Sequence, residues 1–141
     1  MAIAPLQNGS YEKYAGKGSG FALFFVTPGQ TTPLDAFPEA PFFVENLTTG
    51  ETCTGGESGG IWDKNLVYRT ENDRVLILGS FSGSSTGWEF YDAKTSAHIA
   101  WVENSADPKS VFVRGNQIVF SKGLPASLKR FLGSAALQSG K

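Results

Sequence analysis

Gly83, Ser84, Ser85, Thr86 and Gly87 spell G-x-S-x-G, the pattern around the nucleophile of many serine hydrolases, and Asp92 and His98 follow in an order that could complete a triad. Such a serine sits on a sharp turn between a strand and a helix, exposed at the top of a mostly parallel sheet. Val75 to Phe81, VLILGSF, can supply the strand, but Gly87 is followed by WEFYD, an aromatic alternating run suited to a second strand. With no helix to follow, the same residues describe a Ser-rich hairpin loop. The closeness of Asp92 and His98 in sequence adds little, because triads are assembled by folding.

The remaining chemistry-bearing residues are few. His98 is the sole histidine and opens HIAWVE. Cys53 is the sole cysteine, so it has neither a disulfide partner nor a second thiol for a metal. A nucleophilic Cys53 would need His98 beside it. Because Cys53 adjoins a polar glycine-rich stretch, Cys53→Ser is expected to change stability by less than about 1 kcal/mol. Glu89 and Asp92 lie in or next to strand-like segments, and Asp63, Glu71, Asp73 and Glu103 fall in turns, where acidic residues are expected on solvation grounds alone. Paired carboxylates that cleave glycosides must face one another across a cleft, which spacing does not specify. No calcium-loop pattern occurs, and the glycines of GKGSG (Gly16, Gly18, Gly20) precede their strand, whereas a dinucleotide fingerprint follows one. No catalytic residue, metal or other cofactor is therefore expected.

Trp62, Trp88 and Trp101, with Tyr68 and Tyr91, could form a platform on which sugar rings stack. The alternation of Trp88 with Phe90, and of Ile99 with Trp101, instead favours the core faces of paired strands.

The elements that must position these residues are short apolar or alternating segments separated by turn residues, the pattern of an all-β domain with at least seven strands. The strand candidates are Phe21 to Val26, Phe42 to Glu45, Leu66 to Thr70, Val75 to Phe81, Trp88 to Asp92, His98 to Val102, Val111 to Arg114 and Gln117 to Ser121. Thr49-Gly50, Asn72-Asp73 and Gly115-Asn116 have the chemistry of tight reversals between them. Thr54 to Gly60, TGGESGG, reads as a flexible surface loop, and Pro28 to Pro41, with four prolines, as an irregular connection. Leu124, Leu128, Phe131 and Leu132 recur at helical spacing after Pro125, which predicts one short C-terminal helix, and the final SAALQSGK should fray. WEFYDAKTSAHIAW has the strand, turn, strand look of a propeller blade. At about 40 to 50 residues per blade, the chain is too short for the roughly four blades a ring needs. Antiparallel sheets in a sandwich or partly propeller-like stack are expected.

The chain has 141 residues, enough for a single all-β binding domain over 1–141. Its 12 basic and 13 acidic side chains are scattered, so no basic stripe offers itself to nucleic acid. The longest apolar run, Phe21 to Val26, is far too short to insert into a membrane. MAIAPLQNGS lacks the charged and apolar regions of a signal peptide and reads like the start of a mature, exported chain given a new initiator Met. A small neutral β scaffold that presents loops is better equipped to bind than to catalyse, since the sheet fixes the loop ends and the loop recognises.

The all-β pattern, the mature-looking N-terminus and the loop FSGSSTGWEF resemble the small periplasmic immunity proteins that neutralise peptidoglycan amidase effectors of type VI secretion systems. That resemblance, over roughly residues 60 to 121, implies a sheet scaffold that pushes a serine-bearing loop into the cleft of a Cys/His amidase. It makes Ser84 and Ser85 the inserted residues and Ser82, Gly83, Thr86 and Gly87 their supports. The implied partner is a secreted cell-wall hydrolase, and the implied location is periplasmic or secreted. A carbohydrate-binding module using surface tryptophans, a lysozyme-type inhibitor, and a small serine hydrolase using Ser85 remain the alternatives.

Overall fold

Val75, Leu76, Ile77 and Leu78 run without any polar alternation, a pattern that suits a strand covered on both faces. The computed structural model places them there, each with no exposed surface. It describes residues 3–5, 7–8, 13–15, 19–25, 41–56, 60–82, 85–104 and 111–131.

Among the described residues the strands are β1 (Ile3–Pro5), β2 (Gln7–Asn8), β3 (Lys13–Ala15), β4 (Phe21–Phe25), β5 (Phe42–Asn46), β6 (Thr52–Gly55), β7 (Ile61–Thr70), β8 (Val75–Ser82), β9 (Ser85–Asp92), β10 (His98–Glu103), β11 (Val111–Arg114) and β12 (Gln117–Phe120). A short helix, α1, covers 126–131. The strands form a central sheet of order β1-β7-β8-β9-β10, a second sheet of order β2-β3-β4-β5-β6 and the hairpin β11-β12, all paired antiparallel.

The central sheet has an apolar layer on each side. Val67, Leu76, Leu78 and Tyr91 pack against Phe21, Leu23, Phe25, Phe42 and Val44 of the second sheet. On the other face Val75, Ile77, Trp88 and Phe90 pack against Val111, Ile118 and Leu128, with Leu124 and Phe131 at the margin. β8 lies between both layers, which is why its residues need no polar face. The all-β stack with a short C-terminal helix is the architecture expected from the sequence, and Leu128 and Phe131 mark the covering face of α1, with Leu124 just ahead of the helix.

The three predicted reversals connect β5 to β6, β7 to β8 and β11 to β12. Gly50, Asp73 and Gly115 take positive φ values of 76°, 61° and 61° there. Asp73 also ties the layers together. Its carboxylate pairs with Arg69 at 3.3 Å, accepts a bond from Ser19 Oγ at 3.1 Å, and accepts the backbone N–H of Gly20 at the head of β4.

Other expectations are corrected. Thr54 to Gly60 is not a free loop: Thr54 and Gly55 belong to β6, and Gly55 and Gly56 are buried. A Cβ on Gly55 would fall 2.3 Å from Cζ of Phe42, so the glycine is there to let an aromatic ring lie on the backbone. Residues 57–59 lie outside the described residues, as do 28–40, Val26, Leu132 and the tail. β7 begins at Ile61 rather than Leu66, because its register against β8 shifts between Trp62 and Val67, and the polar stretch Asp63 to Asn65 falls in that irregularity.

Trp101 is not a core residue. The register of β10 against β9 shifts between His98 and Ala100, so Ala100 and Val102 oppose Phe90 and Trp88, while Trp101 opposes Glu89. A slip of one residue exchanges the faces of a strand. Trp101 is 36% exposed, whereas Trp62 and Trp88 are 0% and 6% exposed.

Cys53 is also placed differently. It packs against the core layer between the sheets, and its Sγ contacts Oγ of the buried Ser96 in the β9–β10 turn. Cys53→Ser should therefore cost on the order of 1–2 kcal/mol rather than a fraction of one, since it trades a soft, half-buried sulfur for a hydroxyl. Urea denaturation measures this, and an unchanged midpoint would return the thiol to the solvent side.

Candidate functional site

The G-x-S-x-G residues end a long β-hairpin. The β8–β9 ladder continues through Ser80↔Gly87 and Phe81↔Thr86 to Ser82↔Ser85. Gly83 and Ser84 lie outside the described residues. Ser82, Ser85, Thr86 and Gly87 are thus strand residues, so most of the expected loop, Ser82 to Gly87, is the end of a paired arm. A strand, not a helix, follows the serines.

Alternation along β9 separates the side chains. Ser85 shares a face with Gly87 and Glu89, and Thr86 shares the other with Trp88. Ser85 Oγ donates to Glu103 Oε1 on β10 at 3.3 Å. Thr86 is exposed at its side chain, while its carbonyl accepts the Asn104 N–H at 2.8 Å. Gly87 is buried under the Trp101 indole: a Cβ there would lie 2.5 Å from Cη2 of the ring. β10 therefore braces the arm close to its end.

No Ser, His, Asp triad assembles. His98 opposes Tyr91, six positions along β9 from Ser85, which at the rise of a strand is about 20 Å. The His98 Nε2 instead meets Glu89 Oε1 at 2.8 Å, and its ring stands edge-on to Tyr91 at 5.2 Å. Asp92 is occupied with its own turn, accepting the N–H groups of Lys94 at 2.8 Å and Thr95 at 3.3 Å. Burial, with the nearby Glu89 charge adding to it, pushes the Tyr91 phenol well above its ordinary range, so it is a neutral core group at physiological pH.

The other candidates also resolve into structural roles. Asp63 caps the N–H of Asn65 at 2.9 Å. Among the described residues, no group of three His, Cys, Asp or Glu side chains is placed to hold a metal. A depression of about 380 Å³ between the sheets includes Cys53, Asp73 and Lys94, with Asp73 already engaged by Arg69 and Ser19. A second, of about 390 Å³, lies under the arm and is lined by Phe81, Thr86, Trp88, Phe112 and Val113. No described helix is long and apolar enough to cross a membrane.

Sequence reasoning missed Trp101 and Glu103 as neighbours of the serine. Only the bulge at His98 brings Trp101 to the Ser85 face, and no residue type announces that bulge.

Comparison with known proteins adds two findings. A family model described as immune protein Tsi1 matches residues 2–127. An immune protein Tsi1 of Pseudomonas aeruginosa PAO1 is 33% identical over 97 residues, which cover 67% of this chain and 55% of the relative. The match thus spans just over half the length of that curated relative.

Proposed function

The chain belongs to the immune protein Tsi1 family, and on that premise we propose that it is a non-catalytic immunity protein, neutralising in the periplasm a peptidoglycan amidase delivered by type VI secretion. In this reading the end of the β8–β9 arm, Ser82 to Gly87, enters the amidase cleft. The observation that carries it is the arm itself: two strands stay paired out to Ser82↔Ser85, ending in small hydroxyl-bearing residues. Ser and Gly side chains fit a narrow cleft. A serine hydroxyl can both donate to and accept from a catalytic imidazole or thiol, whose bonding capacity is otherwise unmet once water is expelled. Because the arm is held by a full ladder and by β10, little conformational freedom is lost on insertion.

The test is direct. A purified Cys/His peptidoglycan amidase effector mixed with an equimolar amount of this chain should lose its ability to digest purified peptidoglycan. Undiminished digestion with the chain in large excess would defeat the reading.

A further inference from the structure

Trp101 is 36% exposed, so it adds little to the core, yet its ring has a fixed seat. A Cβ built on Gly87 would lie 2.5 Å from Cη2 and 2.8 Å from Cζ3 of the indole, so the ring rests on the Gly87 backbone. A glycine inside a strand weakens it, because there is no side chain to pack and more backbone freedom to lose. The residues beyond Gly87, Ser82 to Thr86, are Ser, Gly and Thr, of which only threonine favours a strand. The end of the arm therefore does not owe its pairing to its own sequence. On one side β7 gives limited support, since its register against β8 breaks after Ile61↔Phe81 and Trp62↔Ser80. On the other side β10 runs in unbroken register from Ala100↔Phe90 to Glu103↔Gly87, and the Asn104 N–H continues to the Thr86 carbonyl.

Resting on the reading of the preceding subsection, we propose that Trp101 is a positioning residue for the arm: by covering Gly87 it stands in for the missing side chain and keeps the Ser82↔Ser85 end paired before the amidase arrives. An aromatic ring laid over a strand glycine pins β pairing in this way. Trp101 acts through Gly87 and not through contact with the partner. This accounts both for a large aromatic residue left at the surface and for the glycine beneath it, since a Cβ at position 87 would also fall 2.5 Å from the Val102 carbonyl oxygen and push β10 away. The consequence for binding is pre-organisation, because an arm that is already ordered loses less conformational freedom on insertion.

The experiment reads amide hydrogen exchange of the free chain residue by residue by NMR, together with its Kd for a purified Cys/His peptidoglycan amidase effector. Because the Thr86 carbonyl turns to β10, the Ser85 and Gly87 amides turn to β8, and in the wild-type chain both should be protected. Trp101→Ala should speed exchange at these two amides and at Asn104 at least about tenfold, while exchange at Val75 to Leu78 and the urea midpoint stay as in the wild type. Its Kd for the amidase should rise roughly tenfold. Trp101→Phe, which keeps a ring over Gly87, should restore most of both the protection and the affinity. A wild-type chain whose Ser85 and Gly87 amides exchange as fast as an unfolded chain overturns the inference without any variant. Unchanged exchange in Trp101→Ala overturns it as well, and a raised Kd in that case would make the indole a direct contact. Faster exchange that extends to Val75 to Leu78, or that leaves Kd unchanged, overturns it by making the ring a matter of the fold alone. In each of these cases a wild-type chain that binds the amidase leaves the immunity reading standing, whereas no binding of the wild-type chain overturns both.

Discussion

Trp62→Ala should destabilise the chain by about 3–5 kcal/mol, the range for emptying a fully buried large aromatic site. Trp62 has no exposed surface and stands edge-on to Phe42 of the second sheet, with ring centroids 5.7 Å apart, and to Tyr91 of the central sheet at 6.2 Å. Phe42 and Tyr91 in turn meet at 4.8 Å, so three rings join the two layers. The buried Gly56 also leans on the indole, and a Cβ there would come within 2.8 Å of Cζ2. Rings locked by two sheets and a glycine backbone cannot collapse into the space left by alanine, so the cavity term should be near its maximum. Against a total stability of 5–15 kcal/mol typical of single domains, such a loss leaves a marginal fold. Trp62→Phe should recover much of it, since the indole N–H has no hydrogen-bond partner among the described residues and its loss removes a desolvated donor. Urea denaturation of the three proteins decides it: a cost below about 1 kcal/mol for the alanine variant would mean that Trp62 does not bridge the sheets.

The same ring cluster limits the sugar-binding alternative, because Trp62 and Trp88 are enclosed by protein and offer no face to a carbohydrate. The alternation that favours core over surface holds for Trp88 and fails for Trp101. Hydrophobic alternation reports a residue's face only while the register holds, and a bulge changes the face without changing the alphabet.

Much of the fold was legible for one reason: its central hairpins are local. VLIL, WEFYD and VFVRGNQIVF carry their own periodicity and turn residues, so each strand could be placed without knowing its neighbours. β6 was missed because its sequence is defined by what packs on it. Thr52 to Gly55 has no apolar residue except Cys53, and the Gly55 Cα is covered by Phe42, which is distant in sequence. β1 was missed because a three-residue edge strand containing Pro5 has little local signal, and proline is tolerated at an edge where its missing N–H is not needed. The serine motif was legible as a hairpin from the strand that follows it. The bond of Ser85 to Glu103 and the cover of Gly87 by Trp101 depend on contacts with β10.

Replacing Ser84 and Ser85 with bulky residues, for example Ser84→Trp with Ser85→Trp, should weaken amidase binding by roughly 2 to 5 kcal/mol, or about 30-fold to several thousandfold. The loss has two sources, a steric clash in a narrow cleft and one or two buried hydroxyl hydrogen bonds that can no longer form. The fold should tolerate the change. Ser85 is at the last described pair of the ladder, and among the described residues its hydroxyl makes an exposed 3.3 Å bond to Glu103, so a cost within about 0.5 kcal/mol is expected. Ser85→Ala alone should have a smaller effect than the double replacement, because it removes a hydrogen bond but adds no bulk. Calorimetric titration of each variant into the amidase, with urea denaturation as the control for folding, separates these terms. Esterase and amidase activity of the isolated chain should be absent before and after the change, since His98 lies about 20 Å along the ladder from Ser85 and is engaged by Glu89. Hydrolysis that vanishes with Ser85→Ala would restore the catalytic reading of the motif. An amidase that binds the doubly bulky variant as tightly as the wild type would end the insertion model, because no cleft that encloses the end of the arm can be indifferent to two indoles placed there.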